Sequence, residues 1–288
     1  MAVTIDDVFI EEFKGNLISL AQQRQSIVRS YTMEVAATGE GYNWDRIGPV
    51  TASAKTTRAT ATPVVDTPFS RRKSIPSTIA VGDIVENAEI VQMLPDPKSA
   101  IASEFAYAIA RGYDDAVIAA AVGASRDGDG GSVAIPAAQD LGAGTAEMTM
   151  DAIYEVAELY LTNNIDPAIP KLWVIGPAQA RQLLALNEYN NADYNTLRPL
   201  MSGHVVPFMG FNFVVSTRLL AGDGANSSKT FVTTSDAIGL QVNQSMLAEV
   251  AKDPSVSFAW RVYAEATFGA VRVEDEKVVV YDLNNVTA

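Results

Sequence analysis

Apolar residues recur at helical spacing in four parts of the chain. In residues 8–31 the apolar positions fall near one face and are surrounded by polar residues, which predicts a helix lying on another surface. That stripe consists of Phe9, Phe13, Leu17, Leu20, Ile27 and Tyr31. Residues 97–122 form the longest predicted helix, with Asp96 as its N-cap, Pro97 at its first position and Gly123 as its C-cap. Two shorter helices are predicted at about 149–163 and from Pro177 onward.

Strand patterns dominate the rest of the second half. Residues 171–176 read as a buried strand that leads directly into the helix at Pro177. After a polar loop at 188–204, strands are predicted at 210–217, 229–234 and 238–242, with two or three more within 257–283. The chain therefore runs from helix through a mixed middle to a strand-rich end, which predicts an α+β fold.

Residues 50–80 fit neither pattern. The turn-rich connector 37–49 leads into two segments, about 50–62 and 70–80, whose β-branched residues favour extended chain around a bend at 63–68. The first segment is small or polar on both faces, so it cannot bury a face, and an isolated two-stranded hairpin is marginally stable in water. We therefore expect an arm that another surface must order.

Composition narrows the functional classes. The chain has 288 residues, of which 48% are hydrophobic and 19% charged, so a sizeable core is expected rather than disorder. The net charge of −13 argues against a free-standing nucleic-acid binder. There are no cysteines, which excludes disulfides, a thiol nucleophile and cysteine metal sites. The acidic N-terminus is unlike a signal peptide, and no apolar run approaches the ~20 residues that span a bilayer.

Each candidate for chemistry has a simpler interpretation. The loop that begins at Asp127 hints at calcium, but it lacks the EF-hand glycine and glutamate, so a solvated loop is expected. Neither a phosphate loop nor a dinucleotide fingerprint is complete. His204 is the only histidine, and no nucleophile elbow accompanies it. The adjacent Asp114 and Asp115 diverge by about 100° on a helix and do not converge on one substrate. We therefore expect no catalytic, cofactor or metal site.

The order of these elements resembles the major capsid proteins of tailed bacteriophages, which share the Hong Kong 97 fold. The resemblance rests on an N-terminal arm, a thin hairpin and a long spine helix that starts at a proline. It continues through LWVIGPAQA in the middle, FMGFNFVVSTRLL after the polar loop, and the strand-rich ending FAWRVYAEATFGAVRVEDEKVVVYDL. It covers nearly the whole chain and depends on loose patterns, because the family has no sharp motif.

The resemblance implies a division of the chain. Residues 1–49 would be the N-terminal arm and 50–81 the extension loop, a hairpin that lies across the neighbouring subunit. The peripheral domain with its spine helix would comprise 82–144 and 240–288, and the axial domain 145–239. An arm of this kind would be ordered by the copy on which it lies, which would explain the unusual composition of residues 50–80.

The resemblance also implies where copies of the chain meet. The N-terminal arm runs along neighbours, so Phe9 and Phe13 are candidates for contacts between subunits. The basic cluster of the hairpin is expected to meet acids on the spine helix of a neighbour. The basic candidates are Arg71, Arg72 and Lys73, and the acidic candidates are Glu104, Asp114 and Asp115. Exposed pairs of this kind contribute only ~0–1 kcal/mol each but are repeated throughout a shell.

The implied function is structural, not enzymatic. Hexamers and pentamers of the chain would build an icosahedral shell around double-stranded DNA, which contacts it weakly and without sequence preference. Partners would include a portal and a separate scaffolding protein, and the sequence leaves open whether a decoration protein binds outside. Assembly would take place in the bacterial cytoplasm without a membrane, and the virion would be the final location. Because the spine begins at Pro97, little room precedes it for a cleaved scaffolding segment, and the intact Met1 argues against maturation by cleavage. The positions used for covalent cross-linking in some relatives cannot be placed in this sequence, so no cross-linking is expected.

Three alternatives stay open from the sequence. An encapsulin-type nanocompartment shell would have the same fold but hold protein cargo instead of DNA. A hydrolase using His204 would lose activity on His204→Ala and need no oligomer. An α+β binding module would be a stable monomer whose 50–80 segment resists proteases.

Overall fold

A computed structural model describes four stretches of the chain: residues 22–58, 64–86, 97–186 and 207–286, with side chains described from residue 100 in the third. The chain divides into two compact units. The smaller unit comprises 1–25, 79–111 and 246–266, and the larger comprises 26–78, 112–245 and 267–288. The four-part division implied by the resemblance concerns an assembled subunit and stays a prediction.

Three helices and thirteen strands lie within the described stretches. The helices are α1 (Pro97–Val122), α2 (Met150–Thr162) and α3 (Pro177–Ala185). The strands are β1 (Met33–Ala36), β2 (Tyr42–Ile47), β3 (Phe69–Ser74), β4 (Ser77–Val85), β5 (Ser125–Arg126), β6 (Ser132–Val133), β7 (Asp140–Leu141), β8 (Lys171–Ile175), β9 (Phe211–Val215), β10 (Ser227–Thr234), β11 (Ile238–Asp253), β12 (Ala259–Arg272) and β13 (Val278–Asn284). Single 3₁₀ turns occur at Arg29–Tyr31 and Ala137–Gln139.

The core of the larger unit is a mixed five-stranded sheet packed against α2 and α3. Its strand order is β7-β13-β10-β8-β9, with β10 antiparallel to β13 and β8, and β9 parallel to β8. Trp173 of β8 is fully buried and contacts the rings of Phe211 and Phe213 on β9. The hydroxyl of Thr149 caps α2 by accepting from the backbone N–H of Ala152. Every residue of β8 is buried, which confirms the strand predicted there.

A second sheet has the order β1-β11-β12-β4, and both β11 and β12 contribute residues to each unit. Strand β1 runs parallel to the start of β11, where Met33 is paired with Gly239. The sequence predicted a strand only at 238–242, but β11 extends to Asp253. Its first five residues are buried and residues 245–252 are exposed, so the apolar signal ends before the strand does.

The long helix was predicted with the right bounds. Helix α1 spans Pro97–Val122, and the backbone N–H of Gly123 donates to the carbonyl of Ala119 at its C-terminal end. A Cβ at Gly123 would lie only 2.6 Å from that carbonyl oxygen. The expected N-cap, Asp96, lies outside the described residues.

The predicted helix at 8–31 is wrong over its described part. Residues 22–28 are irregular and are followed by the 3₁₀ turn at Arg29–Tyr31, while Phe9 and Phe13 lie outside the described residues. The physical reason is a long-range contact. The Asp114 carboxylate accepts the backbone N–H groups of Ile27 and Val28 and the hydroxyl of Ser26, which holds this segment away from helical geometry.

The hairpin prediction was partly wrong. The strand that pairs with the basic cluster is β2, from Tyr42 to Ile47, within the stretch predicted as a connector. Residues 51–58, predicted as the first strand, form no strand and are exposed. Tryptophan and tyrosine in β2 cover apolar surface, whereas residues 51–58 contain no large apolar side chain, so the pairing favours β2.

Candidate functional site

The two strands of the β2–β3 ribbon (residues 42–47 and 69–74) present different chemistry on their two faces. Trp44 lies opposite Arg72 in the antiparallel register, while Asp45 lies opposite Arg71 and Ile47 opposite Phe69. Because successive side chains alternate between faces, Trp44 and Arg72 share the inner face, and the other two pairs share the outer face. The basic cluster is therefore divided: Arg72 is directed inward, and its two neighbours are directed outward.

The inner face is fixed to the larger unit by buried polar contacts. The Trp44 indole N–H donates to the hydroxyl of Ser74 at 3.3 Å, and that hydroxyl donates to Gln241 Oε1 at 2.7 Å. Trp44 also packs against Gly239, where a Cβ would come within 2.5 Å of the indole ring. These contacts hold the base of the ribbon in a single position on β11.

A buried charge network completes this anchor. The Arg72 guanidinium, whose residue is 6% exposed, donates to Oδ2 of Asp275, and Arg272 donates to Oδ1 of the same carboxylate at 2.7 Å. Arg272 is fully buried and also donates to the carbonyls of Ala121 and Gly123 at the C-terminal end of α1. A cation there is favoured by the helix dipole. One carboxylate therefore connects the ribbon to the end of the long helix.

The outer face is charged along its length and apolar toward its free end. Arg71 Nε donates to Asp45 Oδ1 at 2.7 Å, and both side chains are largely exposed. Beyond this pair lie Ile47 and Phe69, the second of which is 73% exposed. A groove of about 750 Å³ runs beside the ribbon, where Arg71 crosses Gly128. An exposed phenylalanine and isoleucine side by side are typical of a surface that contacts another molecule.

The chain beyond the ribbon buries almost nothing. Residues 50–58 and 64–70 are all exposed, and Val64 reaches 93%. These residues form no strand before Phe69. An apolar side chain as exposed as Val64 gains nothing from the fold of its own subunit.

The predicted acidic partners lie in three different settings. Asp114 is fully buried and accepts from the 26–28 segment, as described above. Asp115 forms a bidentate ion pair with Arg218. Glu104 accepts from the side-chain amide of Gln22. The structure thus places the two adjacent aspartates on diverging sides of α1, as predicted, and gives each of the three acids a partner within its own chain.

The residues considered for chemistry form no site within the described part of the chain. Asp127 closes its own loop by accepting the backbone N–H groups of Asp129 and Gly131 through one oxygen. Among the described residues no cluster of three or more acidic or histidine side chains could hold a metal ion. His204 and the loop 188–204 lie outside the described residues. Within those same residues, no helix is long and apolar enough to span a bilayer.

Comparison with known proteins assigns this architecture. A family model described as phage capsid protein matches residues 5–284, so the chain belongs to the phage capsid protein family. The capsid protein of cyanophage P-SCSP1u superposes with a TM-score of 0.78 at 15% identity, covering 99% of this chain and 96% of that one. Cyanophage Pam1 gives a TM-score of 0.75 at 10% identity, covering 100% and 99%. Mycobacterium phage Che8 gives 0.73 at 17%, covering 95% and 97%. No curated protein matches the sequence.

These matches confirm the predicted α+β Hong Kong 97-type fold and the predicted class. The chain is a structural protein of a phage shell, built from many copies, and is a component of the virion. The anchor residues Asp275 and Arg272 were missed by sequence reasoning. The sequence signal for the first ribbon strand was the alternation of Tyr42, Trp44 and Arg46. Because Gly41 and Gly48 flank these residues, the segment resembled a turn-rich connector.

Proposed function

We propose that this chain is the major capsid protein whose hexamers and pentamers enclose the double-stranded DNA of a tailed phage. The observation that carries the proposal is the exposed arm and outer face of the ribbon, residues 47–58 and 64–71, on a subunit of the capsid family. Surface of this kind is stabilised when a neighbouring copy covers it. In this proposal assembly takes place in the host cytoplasm with a separate scaffolding protein and a portal.

The net charge of −13 supports DNA as the contents. A shell that bound DNA tightly would hinder packaging and release, because phosphate contacts dominate nucleic-acid affinity. The same acidity keeps contact with DNA weak and independent of sequence. The proposal includes no enzymatic step, in keeping with the structural role of the phage capsid protein family.

The contacts between copies are proposed to involve the outer-face residues of the ribbon. Arg71 and Lys73 face outward, whereas Arg72 is committed to Asp275. An inter-subunit role for Arg72, Glu104, Asp114, Asp115, Phe9 and Phe13 stays a prediction. For the first four of these, the intrachain partners described above would have to be shared or exchanged.

The test is particle formation by the purified chain, alone and with lysate of its native source, measured by analytical ultracentrifugation and negative-stain microscopy. Closed shells or capsomers are expected, and a monomer under both conditions would overturn the proposal. Nuclease-protected DNA inside particles from the native source is expected, and protein cargo without DNA would favour the nanocompartment alternative. Phe69→Ser is expected to reduce particle yield, while the matched control Phe69→Leu keeps it, because only the first removes the apolar contact.

A further inference from the structure

Helix α2 has a stripe of exposed residues along the side that faces away from the core. Tyr154 is 50% exposed and Leu161 is 62% exposed, and Glu158, which is also exposed, lies between them. At about 100° per residue these positions fall within about 60° of one another around the helix, so they form one face. The opposite face packs against the sheet through Ile153 and Val156, which are fully buried. The stripe therefore consists of two large apolar side chains on either side of an acid, and it stays exposed in the unassembled subunit.

The charge of this helix has a single sign. Residues 150–162 contain three acids, Asp151, Glu155 and Glu158, and no lysine or arginine. Asp151 lies in the first turn, where the helix dipole favours a negative charge, and Glu155 accepts from the hydroxyl of Tyr281 at 2.8 Å. The Glu158 carboxylate has no ion pair or hydrogen bond within the described residues. An exposed acid between two exposed apolar side chains suits a partner that carries a base between apolar surfaces.

Helix α3 presents a stripe of the opposite kind. Arg181 and Ala185 are exposed and Ala178 is partly exposed, and these three positions also share one face. The rotation of the helix is fixed on its other side, where two buried glutamine amides donate to the carbonyl of Asn284 at 3.0 and 3.1 Å. Residues 177–185 contain no acid, and the Arg181 guanidinium has no ion pair within the described part of the chain. The stripe therefore consists of two small side chains on either side of a base that lacks a counter-ion there.

The spacing of the two stripes matches when the helices run antiparallel. On α2 the acid lies four residues after the tyrosine and three before the leucine. On α3, followed backward along the chain, the arginine lies four residues from Ala185 and three from Ala178. Each stripe is about 10 Å long, because the helix rises 1.5 Å per residue. Glu158 would then face Arg181, and each large side chain of α2 would face an alanine of α3, which lets the helices approach closely.

We propose that α2 of one subunit packs antiparallel against α3 of a second copy, with an ion pair between Glu158 and Arg181 at the centre of the contact. Tyr154 contacts Ala185 on one side of this pair, and the leucine of the α2 stripe contacts the other alanine. This inference rests on the proposed shell function and names a surface by which neighbouring copies meet. The two faces differ, so each copy presents α2 to one neighbour and α3 to the other, and a head-to-tail contact of this kind can close into a ring.

Charge reversal tests the central ion pair. Glu158→Arg and Arg181→Glu each bring like charges together and are expected to raise the critical concentration for assembly, measured by analytical ultracentrifugation, about tenfold or more. The variant with both substitutions is expected to return toward the wild-type value. Both positions are exposed, so the unfolding midpoint of the subunit is expected to stay unchanged. Single variants that assemble like the wild type, or a double variant that does not recover while its subunit is folded by circular dichroism, would overturn the inference.

Engineered cysteines test the register, because the chain has none of its own. Tyr154→Cys combined with Ala185→Cys is expected to give covalent ladders of up to about five or six copies when assembled particles are oxidised, since a head-to-tail contact links each subunit to two neighbours. The matched control, Tyr154→Cys with Ala178→Cys, places the second thiol about 10 Å further along α3, beyond disulfide reach, and is expected to stay monomeric on a non-reducing gel. Ladders from the control pair, or none from the first pair, would overturn the antiparallel contact. In each of these cases wild-type particles still form and the shell function stands, whereas a wild type that forms no particles would overturn both.

Discussion

Arg72 and Asp275 form a buried ion pair although 203 positions separate them in the sequence. The same carboxylate accepts from Arg272, so a single aspartate compensates two buried cations. Taking charges out of water is costly, and removing one partner leaves that cost uncompensated. The anchor of the ribbon therefore depends more strongly on Asp275 than on either arginine.

We expect Asp275→Asn to destabilise the unassembled subunit by about 3–5 kcal/mol, because two buried guanidinium groups would lose their counter-ion. Urea unfolding followed by circular dichroism measures this difference. The matched control is Asp45→Asn, which breaks the exposed pair with Arg71 and is expected to change the free energy of unfolding by ~0–1 kcal/mol. Equal effects of the two substitutions would show that the buried network does not anchor the ribbon.

The connection between residues 26–28 and α1 gives a second prediction. Asp114→Asn would place an amide opposite backbone N–H groups that now donate to a carboxylate, at a cost of about 1–3 kcal/mol. We expect the segment to detach and trypsin to cleave faster after Arg24 and Arg29. Asp115→Asn is the control, because it breaks only the partly exposed ion pair with Arg218 and does not touch residues 26–28. Cleavage at the wild-type rate in Asp114→Asn would contradict this role.

The close approach of Gly222 to a buried carboxylate gives a third prediction. A Cβ at this position would lie 1.9 Å from Asp282 Oδ1 and 2.1 Å from Ser227 Oγ. Asp282 is almost fully buried, so neither oxygen can move aside cheaply, and Gly222→Ala is expected to cost about 3 kcal/mol. Gly130→Ala, with φ of 92° and open space around it, should cost only about 1–2 kcal/mol from backbone strain. Thermal unfolding of the two variants measures these costs. A larger loss of stability in Gly130→Ala than in Gly222→Ala would rule out this packing argument.

The sequence predicted those elements whose signals are local. Helix α1 has its bounds marked by Pro97 and Gly123, and a continuous apolar run identified β8. The sequence could not predict contacts that depend on residues far apart. Asp114 looked like one of a surface pair, but it accepts from the Ser26 hydroxyl and from the backbone N–H groups of Ile27 and Val28. These bonds replace the expected helix there.

For the exposed arm and the ribbon, too, the sequence predicted local features but not contacts between distant residues. Residues 50–58 were correctly expected to bury no face, because their side chains, apart from Val50, are small or polar. The separation of Arg72 from its neighbours follows from strand alternation, but only once β2 is known to be its partner.

Alkaline pH provides the last prediction, through a buried tyrosine. Burial, together with a hydrogen bond to Glu155 at 2.8 Å, raises the pKa of Tyr281 to about 12. The unfolded chain releases this proton near the ordinary value of 10, so between pH 10 and 12 the folded state binds more protons than the unfolded state. The stabilisation is complete below pH 10 and is lost as the pH rises through 12. Tyr281→Phe should therefore show a shallower decline in the free energy of unfolding between pH 9 and 12, about the range of this titration. An identical decline in the two proteins would mean that Tyr281 titrates as it does in the unfolded chain.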